Sequence, residues 1–129
     1  MTSMQLVPVL AVAVGGALGA ALRYVMSSQV NLWMGGTFPW GTLSVNVLGS
    51  LLFGLFSALA LKYSWMGDSF RLLILTGGMG ALTTFSTFSD ESLTLLQQGK
   101  LELLGINILS NVIVCLFAVW LGLQLGNRL

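Results

Sequence analysis

Four long apolar stretches divide this chain almost end to end, and they constrain its fold more than any other feature. A bilayer core of about 30 Å needs roughly 20 mostly apolar residues per helix. Stretches of that length run from about Leu6 to Ser27, Trp40 to Tyr63, Phe70 to Gln97 and Leu101 to Leu125. Charged residues make up 7% of the 129 residues, and the mean hydropathy is +0.92. Soluble domains carry roughly 25% charge, so this chain lacks the polar groups to cover a water-facing surface. The expectation is a single all-α transmembrane domain over residues 1–129, a multi-pass protein of the cell membrane.

The ends of these stretches suit membrane interfaces. Trp40 stands at one end of the second helix and Lys62-Tyr63 at the other, the residue types that anchor at headgroup level. A polar, Gly-rich connection is expected from Ser28 to Phe38, ending at Pro39. A signal peptide carries its positive charge before the apolar run. Here the first basic residue, Arg23, follows it, which predicts a retained helix. Gly15 and Gly19 make a small-xxx-small face on that helix, read as a packing surface.

Charge is nearly balanced across the expected topology. Four spans put Lys62, Arg71 and Arg128 on one side, against Arg23 and Lys100 on the other. The positive-inside rule needs a clear excess to fix orientation. Three against two leaves two readings open: a bias set by one charge, or insertion in both orientations. A net charge of +1 offers no basic surface for nucleic acid. The chain has no histidine and one cysteine, Cys115, which excludes His-dependent catalysis, cysteine metal clusters and intrachain disulfides. No nucleophile–base pair points to an enzyme.

The third helix departs from an ordinary span. Gly77, Gly78 and Gly80 are followed by Thr83, Thr84, Ser86, Thr87 and Ser89. Glycine weakens a helix, and Ser and Thr side chains compete for its backbone groups. The pattern predicts a break near the bilayer midplane, which survives only when buried in protein or lining a wet cavity. A kink with hydroxyls bonded to their own helix is the blander alternative. Phe85 and Phe88 lie three apart, so both can face one way. Their ring edges are electropositive and would favour an anion, whereas their faces would favour a cation.

Neutral donors recur on the neighbouring helices. The second carries Thr42, Ser44 and Asn46, whose amide brings two N–H donors into the apolar layer. The fourth carries Asn107, Asn111 and Cys115 at four-residue spacing, with Ser110 adjacent. That stripe is either a helix-contact seam or a pore wall. Acids stay out of the deep layer: Asp68 and Glu102 are terminal, while Asp90 and Glu91 follow the expected break. A proton-coupled transporter usually needs an intramembrane carboxylate. Neutral donors suit an anion.

These residues carry a resemblance. Gly80-Ala-Leu-Thr-Thr-Phe-Ser-Thr-Phe-Ser-Asp-Glu91 closely resembles the signature of the small bacterial fluoride channels, the Fluc or CrcB family. Trp40-Gly-Thr-Leu-x-Val-Asn46 and the Gly19-x-x-x-Arg23 end of the first helix are similar to it as well. The resemblance runs in order over essentially the whole chain. It implies a fluoride-selective channel of the bacterial inner membrane, working as an antiparallel, dual-topology homodimer with two pathways lined by both subunits. It implies pore roles for Phe85, Phe88, Asn46 and Thr42, with Ser86 and Thr87 among the adjoining hydroxyls and Asn107, Asn111 and Cys115 along an outer polar track. It implies that the backbone carbonyls of Gly80 and Thr83 hold a structural sodium ion at the dimer interface, and that Arg23 and Glu91 stand near the vestibules. The chain departs from the family in the fourth helix, where a hydroxyl is usual at the position of Cys115 and a hydroxyl or imidazole is frequent at that of Asn111.

Two other functions fit a small helical membrane protein. A dual-topology multidrug transporter of this size uses a membrane-embedded Glu in its first helix, and Leu6 to Leu22 contains no acid. A structural bundle serving a larger complex leaves the third-helix motif without a purpose.

Overall fold

Residues 2–129 are described by a computed structural model, and they are helical almost throughout. Helix α1 spans Ser3–Met34 and α2 spans Trp40–Lys62. The third span is composite: α3 (Asp68–Arg71), a wider π-helical segment (Leu72–Met79), α4 (Gly80–Leu82) and α5 (Phe85–Gln97). Helix α6 spans Leu101–Arg128. Four helices, Gln5–Met34, Trp40–Lys62, Asp68–Gln97 and Leu101–Arg128, are long and apolar enough to cross a membrane. The apolar residues Val7, Leu10, Val14, Leu18 and Leu22 all face outward from α1, a surface that suits lipid rather than water.

The expected connection from Ser28 to Phe38 is mostly helix. Polar side chains alone do not stop a helix, and residues 28–34 contain no Gly or Pro. The stop comes at Gly35 and Gly36, with φ of +62° and +78°, a conformation that favours glycine. Asn31 then ties the corner. Its carbonyl accepts from Gly35 N at 3.0 Å, and its Oδ1 accepts from Gly41 N at 2.7 Å. At the other tight turn Gly99 takes φ +70°, and Lys100 N reaches back to Leu95 O at 2.9 Å.

Small residues bring the helices together. A Cβ added at Gly15 would collide with Leu73 O, one at Gly19 with Gly78 O, and one at Gly77 would stand 2.6 Å from Val12 O. Backbone therefore packs on backbone where α1 crosses the π-helical segment, as the Gly15–Gly19 face predicts. The α2–α6 pair uses the same device, with Gly54 against Val119 O and Gly122 against Leu51 O. Val45, Ala58 and Ala118 fill the core beside it. At the far end Tyr63 Oη donates to Leu129 O at 3.0 Å, fixing the exit of α2 to the chain's C-terminus.

Candidate functional site

The site is built around two residues that leave helical geometry. Thr83 has φ −82° and ψ 156°, and Thr84 has φ −150° and ψ 115°, both extended. In an unbroken helix Thr84 N–H would close the next turn on Gly80 O. It donates instead to Asn46 Oδ1 at 2.7 Å, and Asn46 Nδ2 returns a bond to Thr84 O at 3.2 Å. The Asn46 amide pairs with Thr84 as a neighbouring strand would. This satisfies two buried backbone groups that the interruption would otherwise orphan.

Helix α5 restarts immediately because Thr84 caps it. Its Oγ1 accepts from Thr87 N at 3.2 Å, the usual N-cap bond, and donates to Thr87 Oγ1 at 3.0 Å. Ser86 Oγ lies 3.3 Å from the same oxygen. Thr83 Oγ1 donates back to Met79 O at 3.0 Å. The hydroxyl cluster thus serves backbone groups on both sides of the extended residues.

A chain of amides runs from Asn46 across the bundle. Its second Nδ2 bond goes to Asn111 Oδ1 at 2.9 Å. Asn111 Nδ2 donates to both Asn107 O and Asn107 Oδ1 at 3.0 Å. Asn107 Nδ2 donates to Ser92 Oγ at 3.0 Å, and Ser92 Oγ donates to Phe88 O at 2.7 Å. Asn107 and Asn111 of the α6 stripe thus form a contact seam that ties α2, α5 and α6 together, while Asn111 and Cys115 also line a groove. Asn107 is fully buried at 0% exposure and lines neither of the cavities beside Thr84.

Two cavities flank Thr84. One is a groove of about 240 Å³ lined by Asn46, Thr83, Phe85, Phe88, Asn111 and Cys115, among others. The Phe85 and Phe88 ring centroids are 5.4 Å apart and their planes are tilted by 56°. Phe88 is 8% exposed and Phe85 78% exposed, so one ring is seated in the bundle while the other stands off its surface. The second cavity, of about 220 Å³, is lined by Arg23, Thr42, Thr84 and Thr87 with Ala20, Tyr24, Ser27 and Val45. Arg23 is its one formal charge. Glu91 belongs to a third cavity, with Thr37, Pro39 and Gln98. Its Oε1 accepts from Thr42 Oγ1 at 2.7 Å, while its buried Oε2 has no partner.

The sequence-predicted residues thus divide between spaces. Asn46, Phe85, Phe88, Asn111 and Cys115 share the groove; Thr42, Thr87 and Arg23 share the second cavity; Thr42 links the latter to Glu91. Ser86 is exposed and touches the set only through Thr84. Sequence reasoning missed Thr84, the residue common to both cavities. Its signal was present in Thr84-x-x-Thr87, a hydroxyl positioned to cap a restarting helix.

Carbonyl oxygens at the interruption suit a hard cation. Gly80 is exposed, and a Cβ there would approach nothing nearer than Leu75 O at 3.7 Å. With Thr84 N–H drawn away, the Gly80 carbonyl loses its helical donor. The described residues hold no cluster of three His, Cys, Asp or Glu side chains able to bind a metal.

Residues 10–123 match the family described as CrcB-like protein, Camphor Resistance (CrcB). The chain belongs to this family. It is 50% identical over 116 residues to a protein of Magnetococcus marinus named fluoride-specific ion channel FluC, covering 90% of this chain and 94% of that one. A protein of Shewanella amazonensis with the same name is 53% identical over 117 residues, covering 91% and 94%. A third, from Geobacter sulfurreducens, is 41% identical over 121 residues, covering 94% and 98%. The CrcB match spans every element of the site, from Arg23 on α1 to Cys115 on α6.

Proposed function

We propose that this chain is a fluoride-selective channel of the bacterial inner membrane that lets the ion leave the cell and so lowers cytoplasmic fluoride. The observation that carries this reading is 50% and 53% identity, over 90% and 91% of the chain, to relatives named fluoride-specific ion channels. The groups around Thr84 add chemical support. Fluoride is small and strongly hydrated, so a dry path must replace its water donors with other positive groups. The Phe85 and Phe88 ring edges and the hydroxyls of Ser86 and Thr87 are of that kind. The Thr42, Asn46 and Asn111 donors are engaged by Glu91, Thr84, Asn111 and Asn107 and would have to exchange those partners for the ion. All are neutral, and sites that conduct must release their ion as well as bind it. Cations meet the wrong end of each donor, and chloride, a larger ion, should be held back by size. No step of this reading requires covalent chemistry, so the chain acts as a channel and not an enzyme.

The working unit in this reading is an antiparallel homodimer inserted in both orientations, with two pathways lined by both subunits and the interrupted third span at mid-membrane. Support comes from the charge balance, three basic residues against two, and from the exposure of Phe85. A structural sodium ion at the dimer interface fits the residues present. The Gly80 and Thr83 carbonyls, one pair from each subunit, would hold it, and it would supply fixed positive charge midway along a path for anions. Arg23 contributes positive charge at the vestibule of the second cavity, and Thr42 with Glu91 stands beside it. Fluoride efflux from proteoliposomes, measured with an ion-selective electrode, tests the function. Passive efflux of fluoride with chloride retained is the expected result; equal efflux of both, or none, overturns it.

A further inference from the structure

We infer that Asn111 is a positioning residue: it holds the Asn46 amide against Thr84 and thereby keeps the interruption in the third span open. The inference rests on the channel reading only for its consequence in ion flow.

Thr84 N–H can donate only to an oxygen, so the 2.7 Å contact fixes which end of the Asn46 amide faces it. Asn46 Nδ2 must then point at Thr84 O and at Asn111 Oδ1. Both N–H groups of Asn46 are committed, one to the interruption and one to Asn111. Asn111 is aimed in turn by its own two bonds to Asn107, and Asn107 by its bond to Ser92. Every member of this chain except Ser92 is buried, where an amide that lost its partner would carry an uncompensated polar group.

What the clamp prevents is specific. If Asn46 let go, Thr84 N–H and Gly80 O would be free to make the ordinary i to i+4 bond, and the extended residues could wind into helix. Thr84 lines both the groove and the second cavity, so the shape of both spaces depends on where this amide pair holds it. Asn46 thus has a task other than donating to an ion. Asn111 acts through Asn46, and Asn107 acts through Asn111.

The test is hydrogen exchange at the Thr84 amide, followed by NMR on the full ¹⁵N-labelled chain in lipid nanodiscs, with fluoride efflux run in parallel. Asn111→Val removes the acceptor for Asn46 and is expected to speed Thr84 exchange about tenfold, the effect of one lost hydrogen bond. Asn111→Asp keeps an acceptor oxygen but loses both donated bonds to Asn107, so it too should speed Thr84 exchange. Asn111→Ala replaces the Val variant if that one does not assemble. Unchanged Thr84 exchange in Asn111→Val or Asn111→Ala overturns the inference, even where efflux falls, because Asn111 would then act on the ion directly. Should the wild type carry no fluoride while Thr84 responds as expected, the clamp stands and the channel reading fails.

Discussion

Asn46 and Thr84 pair like two peptide groups in a sheet, with Thr84 N–H on Asn46 Oδ1 at 2.7 Å and Asn46 Nδ2 on Thr84 O at 3.2 Å. One side chain from α2 thus takes over the hydrogen bonding that a continuous third helix would have done for itself. The pairing also accounts for a hydroxyl-rich sequence that stays ordered through two non-helical residues.

Replacing Asn46 by Ala should therefore cost more than the loss of a single contact. Thr84 N–H and O are both left without their partner in a buried position, at about 1–3 kcal/mol for each unsatisfied group. Thermal unfolding of the purified protein, followed by size-exclusion chromatography, should show a clear drop in stability. An unchanged midpoint would mean the two groups find other partners.

The two phenylalanines should separate stability from transport. Phe88 is seated in the bundle and Phe85 is not. Phe88→Ile loses packing and should destabilise by about 1–2 kcal/mol, whereas Phe85→Ile should leave the single chain's stability nearly unchanged. Both remove the ring quadrupole, and both should cut fluoride efflux strongly. Wild-type efflux in both variants would mean that the rings only pack.

Glycines on α1 make a matched pair of controls. A Cβ at Gly15 would collide with Leu73 O, but one at Gly16 meets nothing within 4 Å. Gly15→Ala should destabilise by about 1–3 kcal/mol through overpacking, and Gly16→Ala should be neutral or slightly stabilising through helix propensity. Thermal unfolding of the two variants side by side decides it.

Gly80 distinguishes the chain from its assembly. Its backbone is helical, with φ −60° and ψ −36°, and a Cβ there would make only an ordinary contact with Leu75 O at 3.7 Å. Gly80→Val should accordingly fold, and should weaken dimerisation instead by crowding the surface proposed to meet a second subunit around sodium. Cross-linking in membranes reads the dimer and circular dichroism reads the fold. A normal dimer with normal efflux would remove Gly80 from the sodium site.

Dual topology predicts that a cysteine introduced at Lys100, in a Cys115→Ser background, reacts with impermeant reagents from both sides of the membrane. Labelling from one side alone would rule out the antiparallel arrangement for this chain.

Composition and spacing by themselves determined four apolar helices, because lipid accepts only segments that satisfy their own backbone. The same local chemistry set the helix ends at Trp40, Gln97 and Leu101, and the glycine face of α1. The sequence misjudged the stretch from Ser28 to Met34, since polar residues can finish a helix that only Gly35 and Gly36 stop. Tertiary structure alone decided which polar residues meet. Asn46 and Thr84 are 38 positions apart, and Asn46 and Asn111 are 65 apart. Nothing in the i, i+4 spacing of Asn107 and Asn111 says whether their amides face a pore or another helix. The close approach of α2 to α6, permitted by Gly54 and Gly122, brings those amides together, and a buried amide then takes whichever partner lies within reach.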